Sequence, residues 1–218
     1  ESEYDAFGVG HSSTSVSAAL GFAEAAKMQG QGHKSIAFIG DGALTGGLAF
    51  EGLNNAGASK ADILVILNDN NISIDRNVGA LHNYLLRMTT DPRYNKAKKK
   101  VWDTLGDNWL RKFIQKVITT TKSHIVRDNG GHLFQAMGFR YFGPIDGNDI
   151  AQVVETLQKL KGMNGPLLLH VMTKKGKGYA PAEEDQTTWH APGIFDPETG
   201  MRQKSKKGES RYQDVFGE

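Results

Sequence analysis

Cysteine is absent from the 218 residues, which excludes disulfides and thiolate metal sites and leaves a reducing compartment allowed. Long apolar runs are absent too. The longest, such as residues 63–67 and 167–169, fall far short of a bilayer span, and no signal peptide is expected. Charge of one sign is not in excess: 26 Lys and Arg against 24 Asp and Glu give a formal +2. No bulk field therefore draws the chain to nucleic acid or to a membrane. The seven histidines show no zinc-ligand spacing, and neither a Walker sequence nor a nucleophile elbow is present. Gly8-Val-Gly10 lacks the third glycine of a dinucleotide fingerprint, because Ser13 stands in its place.

Short apolar segments ending in oxygen-bearing residues are what the chain does have. Residues 35–39 run into Gly40-Asp-Gly-Ala-Leu-Thr45, and residues 63–67 run into Asn68-Asp-Asn-Asn71. Each reads as a buried parallel strand with polar side chains at its C-terminal end, where open α/β sheets bind ligands. Asp41 and Asn70 are 29 positions apart, enough for one crossover helix and a return strand. Magnesium takes oxygen ligands and needs few from the protein when phosphate supplies the rest. Asp41 offers it a charge, and Asn70 a neutral oxygen that does not repel an anion. Gly40 and Gly42 allow close backbone approach, and the amides of Gly42 and Ala43 open the next helix toward a diphosphate. The simpler alternative is a tight turn capped by Asp41, followed by an ordinary polar loop.

The remaining periodicities complete an α/β pattern, a parallel sheet with helices on both faces. Helices are expected at 14–28, 44–56, 80–88, 108–126 and 150–160, and strands at 35–39, 62–67, 139–142 and 167–173. Residues 75–130 form a helical excursion broken at Pro92, and its lysine run at 96–100 reads as a solvated face. The segment 133–137 resumes the α/β pattern. Residues 174–200, without periodicity, read as a long binding loop or lid. The α/β domain is expected over 1–180, the active-site loop over 181–205, and the start of a linker to an absent second domain over 206–218.

Further candidates flank these strands. Gly10-His-Ser-Ser-Thr14 leads into the first helix, with Ser12 and Ser13 hydroxyls as donors to an anion or ring, or Ser13 or Thr14 as the cap. In Lys174-Lys-Gly-Lys-Gly-Tyr179, the lysines can meet phosphate and Tyr179 can abut a cofactor ring. His170, inside a strand, reads as a satisfied core histidine. His190, in Trp189-His-Ala-Pro-Gly193, is the best candidate for proton transfer.

Taken together, Gly10-His-Ser-Ser-Thr-Ser15, Gly40-Asp-Gly-Ala-Leu-Thr45, Leu67-Asn-Asp-Asn70, Tyr141-Phe-Gly-Pro-Ile-Asp-Gly147, Thr173-Lys-Lys-Gly-Lys-Gly-Tyr179 and Trp189-His-Ala-Pro-Gly193 resemble the 1-deoxy-D-xylulose-5-phosphate synthase family, in that order. The resemblance implies a thiamine-diphosphate-binding, transketolase-like fold, truncated within its first domain. It implies that Asp41, Asn70 and the carbonyl of Ile72 hold Mg2+, and that Gly10, His11, Ser12, Gly42, Ala43, Asn70 and Tyr179 contact thiamine diphosphate. His190 would assist proton movement near the thiazolium carbon. In the family that carbon, as a carbanion, attacks pyruvate, carbon dioxide leaves, and the two-carbon unit adds to D-glyceraldehyde 3-phosphate. The product feeds isoprenoid, thiamine and pyridoxal phosphate synthesis. A homodimer in the full-length protein, in bacterial cytosol or plastid, is implied as well, while the balanced charge and short apolar runs are what speak against a nucleic-acid or membrane partner.

Two departures qualify the resemblance. Asn148 stands where the family usually has histidine, so it keeps a hydrogen bond but no proton-transfer role. The family's activating glutamate lies in a second domain, and another histidine lies upstream, so the chain alone is expected to turn over poorly or not at all. The alternatives are a split transketolase-type subunit and a non-catalytic cofactor-binding or interaction module.

Overall fold

The computed structural model describes residues 3–8, 10–70, 79–90, 131–202 and 216. Four strands, β1 (Ser35–Gly40), β2 (Ile63–Asp69), β3 (Arg140–Asp146) and β4 (Leu167–Met172), form one sheet in the order β1-β2-β4-β3. Every pairing is parallel, as expected of apolar runs joined by helical crossovers. The helices are α1 (Ser15–Met28), α2 (Asp41–Leu44), α3 (Gly47–Ser59), α4 (Ala80–Thr90), α5 (His132–Ala136), α6 (Ile150–Lys161) and α7 (Ala180–Glu184).

Alternation along the strands sends side chains into two apolar layers. Ala37, Ile39, Val65, Leu67 and Leu168 pack with Val16, Ala19, Leu20 and Ala23 of α1, Leu53 and Ala56 of α3, and Phe134 of α5. On the other side, Leu64, Leu167, Leu169 and Val171 meet Leu157 and Leu160 of α6. The center of the sheet is thus covered on both faces. β1 departs from that expectation: Ile36 and Phe38, which alternate with its buried residues, are 57% and 60% exposed.

The helix expected at 44–56 is two helices. α2 stops at Leu44, and α3 starts after Gly46, whose extended φ −72°, ψ 142° breaks the spiral. The strand expected at 139–142 runs on through Gly143-Pro144 to Asp146, with an irregularity between Phe142 and Ile145. β3 is an edge strand, where a proline costs no needed ladder bond. The segment 133–137 is α5, displaced by one residue. α6 is capped by Asp149, whose carboxylate accepts from the amides of Ala151 and Gln152. The helix expected at 108–126, the break at Pro92 and the linker expected at 206–218 fall outside the described stretches, Phe216 excepted.

The chain divides into two compact units, Glu1–Lys174 and Lys175–Glu218. In the second, the segment expected to be irregular carries α7, a 3-10 turn at Thr188–His190 and an antiparallel bridge between Phe195 and Arg202.

Candidate functional site

The register of the first unit sets the two polar strand ends side by side. Gly40, the last residue of β1, pairs with Asn68 of β2; Asp41 follows the one directly, and Asn70 lies two residues beyond the other. Gly40 rather than Asp41 occupies the N-cap of α2, so the capping alternative for Asp41 does not hold. Asp41 is only 4% exposed, an expensive place for a carboxylate unless something compensates its charge. Asn70 is half-buried.

The Gly-His-Ser-Ser segment is fastened to this turn. Ser13 has φ 71°, and its hydroxyl donates to the carbonyl of Ala43 at 2.7 Å. A side chain on Gly46 would put a Cβ 2.4 Å from the Ser13 Oγ, so glycine there is what lets the two turns meet. The structure therefore brings the segment carrying Gly10, His11 and Ser12, all exposed, against the one carrying Gly42 and Ala43. The expected hydroxyl caps are corrected: Thr14 sits at the N-cap of α1 without a side-chain capping bond, and its hydroxyl donates to the His11 carbonyl. Ser13 spends its hydroxyl on Ala43 instead. Ile72 lies outside the described residues.

The neighboring strand holds the tip of β2. Thr173 donates its hydroxyl to Asn68 Oδ1 at 2.8 Å and its amide to the Asp69 carbonyl at 2.9 Å. Asn148 Oδ1 accepts from the Lys174 amide at 2.8 Å. His170 is fully buried with both ring nitrogens bonded, to Tyr141 and to Asp69, as a satisfied core histidine should be. That it joins three strands was not legible from spacing.

Oxygen donors at the tips, one carboxylate and one amide, fit a hard divalent cation that takes its remaining ligands from phosphate. Among the described residues there is no cluster of three or more His, Cys, Asp or Glu side chains placed to hold a metal. A cavity of about 460 Å³ lies elsewhere, between α1 and α3, lined by residues that include Ser17, Glu24, Glu51 and Asn55. Neither Asp41 nor Asn70 lines it.

In the second unit, Tyr179, Trp189 and Phe195 form an aromatic cluster with ring centroids 4.8–5.9 Å apart. The Tyr179 hydroxyl is buried without a hydrogen-bond partner among the described residues. His190 is exposed, and its Nδ1 accepts from the Lys175 ammonium. An ammonium only donates, so that bond requires an unprotonated Nδ1 and leaves the ring proton on Nε2.

Two carboxyls brace the same unit. Asp185 is held below the usual carboxylate range by the hydroxyl and amide of Thr188, and Asp196 by the amide of Glu198 and the hydroxyl and amide of Thr199. A depressed folded-state value means the stabilization is present at neutral pH and lost as pH falls through that value. Acidification below about pH 4 should therefore release both turns. Amide exchange at Thr188 and Glu198 should accelerate there; protection unchanged across the acid range would contradict the bracing.

The first unit has the fold of a transketolase-like α/β domain. Transketolase from Campylobacter jejuni is similar, with a TM-score of 0.53 at 21% identity over 87% of this chain and 26% of that one. A family model described as 1-deoxy-D-xylulose-5-phosphate synthase matches residues 1–173, and the chain belongs to that family. Relatives called 1-deoxy-D-xylulose-5-phosphate synthase in Cytophaga hutchinsonii, Erwinia tasmaniensis and Chlorobaculum tepidum are each 48% identical across the whole chain. The chain spans 35% of the length of each.

Proposed function

We propose that the strand tips of this chain bind the diphosphate end of thiamine diphosphate through Mg2+, as part of a transferase that condenses pyruvate and D-glyceraldehyde 3-phosphate into 1-deoxy-D-xylulose 5-phosphate with loss of carbon dioxide. The product is a precursor for isoprenoid synthesis. The observation that carries this reading is the pairing of Gly40 with Asn68, which puts a buried Asp41 beside the Asn68–Asn70 tip.

Asp41 and Asn70, with the Ile72 carbonyl, would hold the cation. Gly42 and Ala43 would offer backbone amides to the diphosphate, and Gly10, His11 and Ser12 a second contact. Tyr179, whose hydroxyl is buried without a hydrogen-bond partner among the described residues, would contact the cofactor. When bound, the cofactor would supply the nucleophilic carbon; His190, with its hydrogen on Nε2, would donate a hydrogen bond to a developing oxyanion and so assist proton movement there. As in the expectation from sequence, the 218 residues alone would bind the cofactor but turn over poorly or not at all, and a homodimer of the full-length protein would form the working site.

Calorimetry on the chain tests this. Thiamine diphosphate should bind saturably in the presence of Mg2+ and much more weakly with EDTA. No binding at millimolar cofactor and Mg2+ would overturn the reading. In the longer polypeptide, His190→Ala should lower turnover and spare cofactor affinity.

A further inference from the structure

Asp69 is the middle residue of Asn68-Asp69-Asn70, and the cation site has no evident use for it. Its carboxylate is among the most enclosed groups in the protein, at 1% exposure, and His170 beside it is at 0%. His170 Nε2 lies 3.0 Å from Asp69 Oδ2, and Nδ1 lies 2.8 Å from the Tyr141 hydroxyl. The carboxylate can only accept, so Nε2 donates to it; with the ring neutral, Nδ1 accepts from Tyr141. Tyr141 in turn stacks on Phe134, with centroids 6.0 Å apart and planes 4° from parallel.

The three residues come from β2, β4 and β3, neighbors in the sheet. Leu67 pairs with His170 in the β2–β4 register, which sets the imidazole two residues short of Asp69. Burying a carboxylate and an imidazole is costly, and in some proteins buried polar groups of this kind serve to fix one arrangement among several. Along β2, Asp69 takes the opposite side from Asn68. Locking Asp69 inward therefore settles which way the polar residues on either side of it are presented. The Thr173 bonds to Asn68 and to the Asp69 carbonyl clamp the same tip from β4.

Building on the cofactor reading above, we propose that Asp69, His170 and Tyr141 form a buried positioning network that sets the tip of β2, so that Asn70 presents its amide oxygen to the Mg2+ of the bound diphosphate. None of the three touches the cation; they act through the backbone of residues 68–70. Partners of this kind around metal ligands commonly govern affinity.

The test is calorimetry of thiamine diphosphate with Mg2+ on the 218-residue chain and on Asp69→Asn and Tyr141→Phe, alongside ligand-free melting. Asp69→Asn should weaken binding about tenfold or more, and Tyr141→Phe by a factor of roughly three to ten. Tyr141→Phe should lower the ligand-free melting temperature by only about 2–4 °C, the cost of one hydrogen bond. The apparent affinity for Mg2+ at saturating cofactor should fall in step. Wild-type affinity in folded variants, whatever their melting temperature, would reduce the network to core filling and overturn the proposal. Should Asp69→Asn fail to fold, Tyr141→Phe still decides, because it removes one hydroxyl and keeps the ring on Phe134. A parent chain that binds nothing would instead overturn the cofactor reading, and this proposal with it.

Discussion

Asp41→Asn should cut the Mg2+-dependent affinity for thiamine diphosphate about 100-fold, equivalent to about 2.7 kcal/mol. Asparagine matches aspartate in outline, so the packing around a residue that is 4% exposed need not change. What changes is charge. A carboxylate attracts a divalent cation from a poorly hydrated position, where interactions with charged groups are strongest; an amide oxygen offers only its dipole. Because the outline and one acceptor oxygen are kept, stability of the ligand-free chain should hold to within about 1 kcal/mol. Titration calorimetry with and without EDTA, together with a circular-dichroism melt, separates the two effects. Lost affinity in a chain that melts like the parent is expected. Undiminished affinity would remove Asp41 from the metal site, and lost affinity with a collapsed melt would make it a structural residue.

How far the sequence disclosed this arrangement depends on what each residue's role consists of. β1, β2 and β4 were legible because parallel strands leave continuous apolar runs, and their tips because polar residues broke those runs sharply at Asp41 and Asn68. The break between α2 and α3 was hidden: Gly46-Gly47 sits inside a pattern whose apolar spacing continues, and only the contact with Ser13 requires a turn there. Gly143-Pro144 misled in the opposite direction, because a Gly-Pro pair reads as a turn, whereas an edge strand carries it without loss. The Asp69–His170–Tyr141 network had no local signal at all. Its members are 29 and 101 positions apart and meet only through the register of three strands. The uncovered Ile36 and Phe38 show the converse: the apolar run correctly predicted a strand able to be buried on both faces, but not which of its faces would be covered.

The largest effect on stability is expected from Gly57→Ala, at a position where helix propensity argues for the wrong sign. Inside α3, alanine is the better helix former by about 1 kcal/mol. Yet a Cβ on Gly57 would lie 1.7 Å from the Met137 carbonyl oxygen and 2.8 Å from its carbonyl carbon. These are backbone atoms, so no rotamer change relieves the clash. The approach is reciprocal: Gly138, at φ 94°, would place its own Cβ 2.7 Å from the Gly57 oxygen. The two glycines let α3 lie directly on the chain leaving α5, which goes on through Phe139, 3% exposed, into β3. Forcing them apart would shift α5 and unseat Phe139, at a cost of about 3 kcal/mol or more. For a chain of this size that means a loss of roughly 6–12 °C in melting temperature. Gly21→Ala supplies the control. Gly21 is an exposed interior position of α1, a Cβ there would meet nothing within 4 Å, and alanine should raise stability by up to about 1 kcal/mol. Thermal melts of both variants decide between contact and propensity: if Gly57→Ala melts at or above the parent, α3 does not rest on the Met137–Gly138 backbone.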